Sequence, residues 1–344
     1  MFFDLQGDFM EFLAIVFVCL GVVVLSLHAI VQKKALTASV LSGNQILISQ
    51  HLFGAVLLFI SVPFFFRLAP VTEHSRIFWF AVAITTIANI AIQYAILRSR
   101  MLADVSLTAP IQALTPGLVT LAAFSLGEFP SRQGIVGIIL MSLGTYIHCR
   151  ENATSLREYF NPFSHLFLPR NFTVLHSLEQ QKRVRERNAL RWAYGSAILG
   201  TVGLVFDGLV SRNGNVGKGF GVENLLIALV FFAIPLQKKK PSEIGEGTAL
   251  PSLVRRYKFA FLLGLLFGLH VIFFMTAFRV APVAYIGSLK RLTIVVTVIL
   301  SAWLLGEKKA KQRLWPSFVI TAGAVLLAFD PSTAKIMESI EKAF

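Results

Sequence analysis

Cysteine is nearly absent. The 344 residues contain two, Cys19 and Cys149, both inside apolar segments. That excludes a disulfide framework and a cysteine-rich metal site. Charge is scarce as well. Asp, Glu, Lys and Arg make up 15% of the chain, against roughly 25% in soluble domains. No Gly-rich phosphate loop is present, so direct ATP drive is not expected, and no HExxH-type metal cluster occurs. No soluble catalytic domain stands out, so neither enzymatic activity nor a cofactor is expected. The first residues, MFFDLQGDFMEF, are acidic where a secretory signal carries a basic region. Their apolar continuation is expected to be a retained first helix. The net charge of +14 does not indicate nucleic acid, because no basic stripe with interleaved aromatics lies on a soluble domain.

Apolar sequence is what the chain has in abundance: 55% hydrophobic residues and a mean hydropathy of +0.70. About 20 apolar residues span a bilayer as a helix. Ten such segments can be marked, at 9–31, 43–66, 76–97, 103–125, 132–149, 191–212, 220–236, 256–278, 282–305 and 312–329. A basic stretch separates the fifth from the sixth. The chain divides into a first half (1–150), a linker (151–190), a second half (191–330) and a short tail (331–344).

The halves register on each other at a shift of about 179 residues. LGE at Leu126–Glu128 falls on LGE at Leu305–Glu307, Gly144 on Gly323, Gln133 on Gln312 and Arg100 on Arg279. Arg76, Phe80 and Ala81 fall on Arg255, Phe259 and Ala260. Such self-similarity sets architecture. Five helices per half is an odd number, so the halves enter the membrane in opposite senses, as in carriers with a site near the midplane. The expected fold is therefore an all-α integral membrane protein of ten helices in two inverted repeats. Placing the N-terminus outside puts about 22 Lys and Arg in the inside loops and about 8 in the outside ones, as the positive-inside rule favours.

The segments YAILRSRMLADVSLTAPIQALTPGLVTLAAFSLGEFPSRQGIVGIILMSLGTYI and FRVAPVAYIGSLKRLTIVVTVILSAWLLGEKKAKQRLWPSFVITAGAVLLAF share a pattern. Each has a span ending in LGE, a short polar loop, and a span with a late glycine. Each resembles an EamA repeat of the drug/metabolite transporter superfamily. The resemblance implies ten helices in two inverted halves, movement of small metabolites and a bacterial inner-membrane location. It also implies both termini inside, against the charge count, and both orientations stay open. Glu128 and Glu307 sit at helix ends, where a structural turn is their expected role.

The charges inside the spans point to a site. Lys290 and Arg291 interrupt the apolar ninth segment, and each cation at that depth costs about 2.5–3.5 kcal/mol on insertion scales. At helical spacing Gly287, Lys290, Thr293, Thr297 and Ser301 share one face. The cations either attract an anionic or zwitterionic solute or form a static ion pair. The expected partner is Asp207 in LGTVGLVFDGLVSRNG, at similar depth, which neutralises one cation or carries a proton. A stripe of Ser196, Gly200, Gly203 and Ser211 on the same segment would allow close helix approach. His270 shares a face with Phe267 and Phe274 and is either a hydrogen-bonded core residue or pH-sensitive. The first half carries neutral counterparts. His28 aligns with Asp207 and Gln112 with Arg291, and Thr86, Asn89 and Gln93 form a stripe. Pro110 and Pro116 are expected to kink the fourth helix.

The candidate binding residues are thus Lys290, Arg291, Asp207, His270, Thr297, Asn89, Gln93, Gln112 and His28. The favoured function is a secondary carrier for a small organic solute, working as a monomer or homodimer with lipid around it and with protons or another coupling ion as partners. A lipid or lipid-phosphate flippase is the alternative, and a structural subunit without transport is the third possibility.

Overall fold

Lipid leaves a spanning backbone nothing to bond but itself, so helices are the expected answer to long apolar segments. The computed structural model describes residues 2–38, 40–68, 76–102, 111, 114–124, 127, 129–149, 178–234, 250–305 and 314–330. Among these the chain is all-helical, without a strand. The helices are α1 (Phe2–Thr37), α2 (Gly43–Leu68), α3 (Arg76–Leu102), α4 (Thr115–Ala123), α5 (Arg132–Cys149) and α6 (Leu178–Asn213). They are followed by α7 (Val216–Ala233), α8 (Leu250–Val280), α9 (Val283–Leu289), α10 (Leu292–Leu305) and α11 (Leu314–Ala328).

Seven stretches among the described residues are long and apolar enough to cross a membrane: six in α1, α2, α3, α6, α7 and α8, and Val283–Leu300 across α9 and α10. Shorter apolar stretches lie in α5 (Arg132–Ile147) and α11 (Trp315–Leu327). Exposure runs inside out relative to a soluble domain. Ile60, Ile87, Phe232 and Trp303 are 69%, 65%, 76% and 79% exposed, while Asp207, Glu223, His51 and Gln50 are buried. An apolar exterior around a partly polar interior is the pattern of a multi-pass membrane protein.

The helices pair across the two halves. α3 packs on α6 as α1 packs on α8; α2 packs on α7, α5 on α11, and α4 on α9. The α5–α11 pair is a backbone-to-backbone contact. A methyl on Gly323 would lie 2.6 Å from the Gly137 carbonyl oxygen and 2.8 Å from the Met141 nitrogen. A methyl on Gly144 would lie 2.8 Å from the Ile320 nitrogen and 3.1 Å from the Pro316 carbonyl oxygen. Gly323 and Gly144, Met141 and Ile320, and Gly137 and Pro316 all stand 179 residues apart. Residues of equal offset thus face one another across this one contact.

One side of the bundle is closed by short connections. Asn215 caps α7 by accepting from the Lys218 amide at 3.1 Å, and donates to the Val62 carbonyl at 3.1 Å. Arg212 at the end of α6 donates to the carbonyls of Phe278 at 3.1 Å and Ala281 at 3.2 Å, tying α6 to the α8–α9 junction. Tyr285 donates to Asp330 on the same side.

One expectation changes. The ninth segment is not one helix: α9 ends at Leu289 and α10 begins at Leu292. Around the break the bonds shorten in span. The Arg291 amide takes the Ser288 carbonyl at 2.9 Å and Thr293 takes Lys290 at 3.2 Å, a spacing of three rather than four. The Thr293 hydroxyl also donates to the Lys290 carbonyl, and the Ser26 hydroxyl reaches the Thr293 carbonyl at 3.2 Å. Of the fourth segment, the described helix is α4, nine residues long, and Pro116 lies in its first turn. Proline is tolerated there, since that amide lacks a helical partner anyway, and the expected kink falls on 103–116, most of which before Leu114 lies outside the described residues. Pro110, Glu128, Glu307, the 151–177 part of the linker and the tail lie outside the described residues.

Candidate functional site

Polar groups gather where α3, α6 and α7 meet. Thr85 and Asn89 are one turn apart on α3, so their side chains share a face. The Thr85 hydroxyl donates to Asp207 Oδ1 on α6 at 2.5 Å. Asn89 Nδ2 donates to Glu223 Oε1 on α7 at 2.7 Å and approaches Thr85 Oγ1 at 3.3 Å. Asp207 and Glu223 are thus strung on one hydrogen-bonded chain, each at least nine-tenths buried. Hydrogen bonds to ionised groups are the stronger kind, and here they fix two carboxylates against one helix.

Lys290 stands at the break between α9 and α10, half-buried. Its Nζ lies 5.3 Å from the centre of the Phe274 ring on α8, within cation–π range. The Lys290 ammonium and the Asp207 carboxylate lie within electrostatic range of each other.

Phe267 on α8 is the centre of a histidine group. Its ring lies 4.8 Å from His51, 4.7 Å from His270 and 5.8 Å from His28. His28 and His270 are 6.3 Å apart. His51 Nδ1 is 2.6 Å from Asn224 Oδ1, and Gln50 Nε2 is 3.3 Å from His51 Nε2. Asn224 adjoins Glu223, so the histidines from α1, α2 and α8 continue the polar interior from the carboxylates.

Of the candidates read from sequence, the structure brings together Lys290, Asp207, Asn89, His270 and His28. Arg291, partly exposed, shares the break with Lys290, and Thr297 lies further along α10. Gln93 is one turn beyond Asn89 on α3, and no hydrogen bond joins it to the carboxylates. Gln112 lies outside the described residues, as does the side chain of Ser301. The stripe drawn through Lys290 crosses the break between α9 and α10. A methyl on Gly287 would meet Val119 at 3.5 Å and Leu204 at 3.6 Å, which places Gly287 against α4 and α6. The Thr86 hydroxyl donates to the Val82 carbonyl at 2.6 Å. The α6 stripe is not a seam at Gly200, where a methyl would meet nothing within 4 Å.

Glu223 and Thr85 were missed. Glu223 sits in VENLLIALVFF, three residues inside a segment start, where an acid reads as a helix end. An isolated carboxylate in an apolar run was the available signal. Thr85 was obscured by Thr86, which continues the Asn89–Gln93 pattern.

No family model and no curated protein matches the chain. Among solved structures, 25 chains match it. One, described only as "Crystal structure of protein", aligns with a TM-score of 0.63 at 14% identity, covering 91% of this chain and 96% of that one. The class these findings define is an all-helical fold shared with solved structures over nearly its whole length.

Proposed function

We propose that the chain is a secondary carrier that moves a small organic anion or zwitterion across a membrane by alternating access. The observation that carries this reading is Lys290, a cation at a helix break in an apolar bundle, facing an aromatic ring and in electrostatic reach of Asp207. Interrupted helices whose loosened ends meet a solute are a recurring device of secondary transporters. A residue that only packed would be cheaper without charge.

The ten-helix reading as two inverted repeats is part of the same proposal. It is supported by the cross-half pairing of helices and by the 179-residue offset that relates both sides of the α5–α11 contact. With the LGE pattern, these favour membership in the EamA group of the drug/metabolite transporter superfamily.

The test is solute-induced thermal stabilisation of purified protein on a panel of organic anions, amino acids, nucleotide sugars, amines and lipid phosphates. Wild type is compared with Lys290→Gln, Arg291→Gln and Asp207→Asn. A soluble anion should stabilise wild type and lose its effect in Lys290→Gln. Stabilisation by lipid phosphates alone would replace the carrier with a flippase. Anion binding unchanged in both cation variants would remove Lys290 from the site.

A further inference from the structure

The polar interior holds a carboxylate that anion binding at Lys290 does not use. Glu223 is 4% exposed. Its Oε1 accepts from Asn89, whereas its Oε2 is sealed from solvent and has no hydrogen-bond partner among the described residues. A buried polar atom left without a partner is costly and calls for an explanation. Through Asn89 and Thr85 this carboxylate is linked to Asp207, and the two negative charges act on each other.

The groups around the two carboxylates, among the described residues, are mostly neutral. From α3 come neutral Thr85, Thr86 and Asn89. From α2 comes His51, held by Asn224 of α7. From α1 and α8 come His28 and His270, grouped around Phe267. The break between α9 and α10 supplies Lys290 and Arg291, and Lys290 is the cation that acts on Asp207.

We propose that Asp207 and Glu223 together form a proton-binding site, loaded when a solute anion takes Lys290 as its counter-ion. The inference rests on the reading of Lys290 as the anion site. Without solute, the lysine offsets one of the two carboxylates. An anion on Lys290 withdraws that offset. One proton taken from water, forming an O–H bond on the pair, restores the balance, and Glu223 Oε2 is the open position. Anion and proton therefore bind with reciprocal cooperativity. A proton fits this site better than a divalent metal ion does, because it needs no cavity and no shell of about six or more oxygen ligands. The proton belongs to the pair rather than to either residue, as expected for interacting acids.

The test uses full-length purified protein in weak buffer with a pH-indicating dye, alongside infrared difference spectra of protonated carboxyl groups. The probes are succinate, glutamate and a nucleoside diphosphate sugar. An anion that stabilises the protein should draw about one proton per molecule, and the uptake should be lost in Glu223→Gln and in Asp207→Asn. A second arm needs no solute: at one pH, Lys290→Gln should carry about one more protonated carboxyl than wild type, and adding Glu223→Gln should remove it. Glutamine keeps the shape of glutamate and an acceptor for Asn89, and a single size-exclusion peak confirms folding. An extra carboxyl in Lys290→Gln with no anion-driven uptake would uphold the proton site and overturn the anion reading. A carboxyl signal indifferent to both acid substitutions, in wild type and in Lys290→Gln, would overturn the inference itself.

Discussion

Replacing Gly323 by alanine should weaken the fold, although alanine is the better helix former. The added methyl would stand 2.6 Å from the Gly137 carbonyl oxygen, 2.7 Å from Met141 Cγ and 2.8 Å from the Met141 nitrogen. Ordinary contact begins at 3.4 Å, so the first of these is short by 0.8 Å (3.4 minus 2.6). Two of the three obstacles are backbone atoms, which cannot swing aside as a side chain can. Helix α11 would have to back away from α5, and overpacking of this kind costs about 1–3 kcal/mol. The better helix propensity of alanine returns roughly 0.5–1 kcal/mol. The expected net loss is about 1–2 kcal/mol, up to a factor of about 30 in the folded-to-unfolded ratio. Gly200→Ala on α6 is the control, because its methyl would meet nothing within 4 Å. It keeps the propensity gain and should stabilise by about 0.5–1 kcal/mol. Unfolding in mixed micelles, followed by circular dichroism, measures both. The reasoning fails if Gly323→Ala proves as stable as Gly200→Ala.

Other outcomes follow from single contacts. Asn89→Leu removes the donor to Glu223 and should cost about 1–3 kcal/mol, while Thr86→Val, whose hydroxyl bonds only its own helix, should be near neutral in the same unfolding assay. Arg212→Gln loses the ties to Phe278 and Ala281 and should cost about 1.5–3 kcal/mol, with faster proteolysis near the α8–α9 junction. Asn215→Ala removes the α7 cap and should cost about 0.5–2 kcal/mol, and Asn215→Ser should recover part of it. Phe274→Leu keeps an apolar neighbour for Lys290 but removes the ring face. It should weaken the stability of the bundle by about 1 kcal/mol, read from the unfolding midpoint.

Much of the architecture was legible because lipid imposes a simple rule. Apolar runs of sufficient length became helices, and LEQQKRVRERNALRW entered the span that carries Asp207 as one unbroken α6. Gly144 and Gly323, singled out in the sequence as a matched pair, both lie in the close contact between α5 and α11. Asp207 and Lys290 stood out as charges in apolar sequence, and in the structure they lie within electrostatic range of each other. The break at Lys290 was not legible. YIGSLKRLTIVV has no proline at that point, and the interruption is accompanied by contacts from afar, such as Ser26 on the Thr293 carbonyl. Which threonine faces Asp207 was hidden too, since Thr85 and Thr86 differ by 100° of helix rotation and only tertiary packing chooses between them.

At the interruption between Leu289 and Leu292 two helical rods meet end to end. In an unbroken helix, bending breaks bonds of the regular ladder. Here the ladder has already given way to shorter-range bonds, so changing the angle between the two rods would sacrifice little. A small turn at the joint scarcely displaces the Lys290 backbone, yet it re-aims the long arm that ends in the ammonium. The direction of that arm and the tilt of α10 are then one variable. Whatever holds the ammonium in place also sets the tilt.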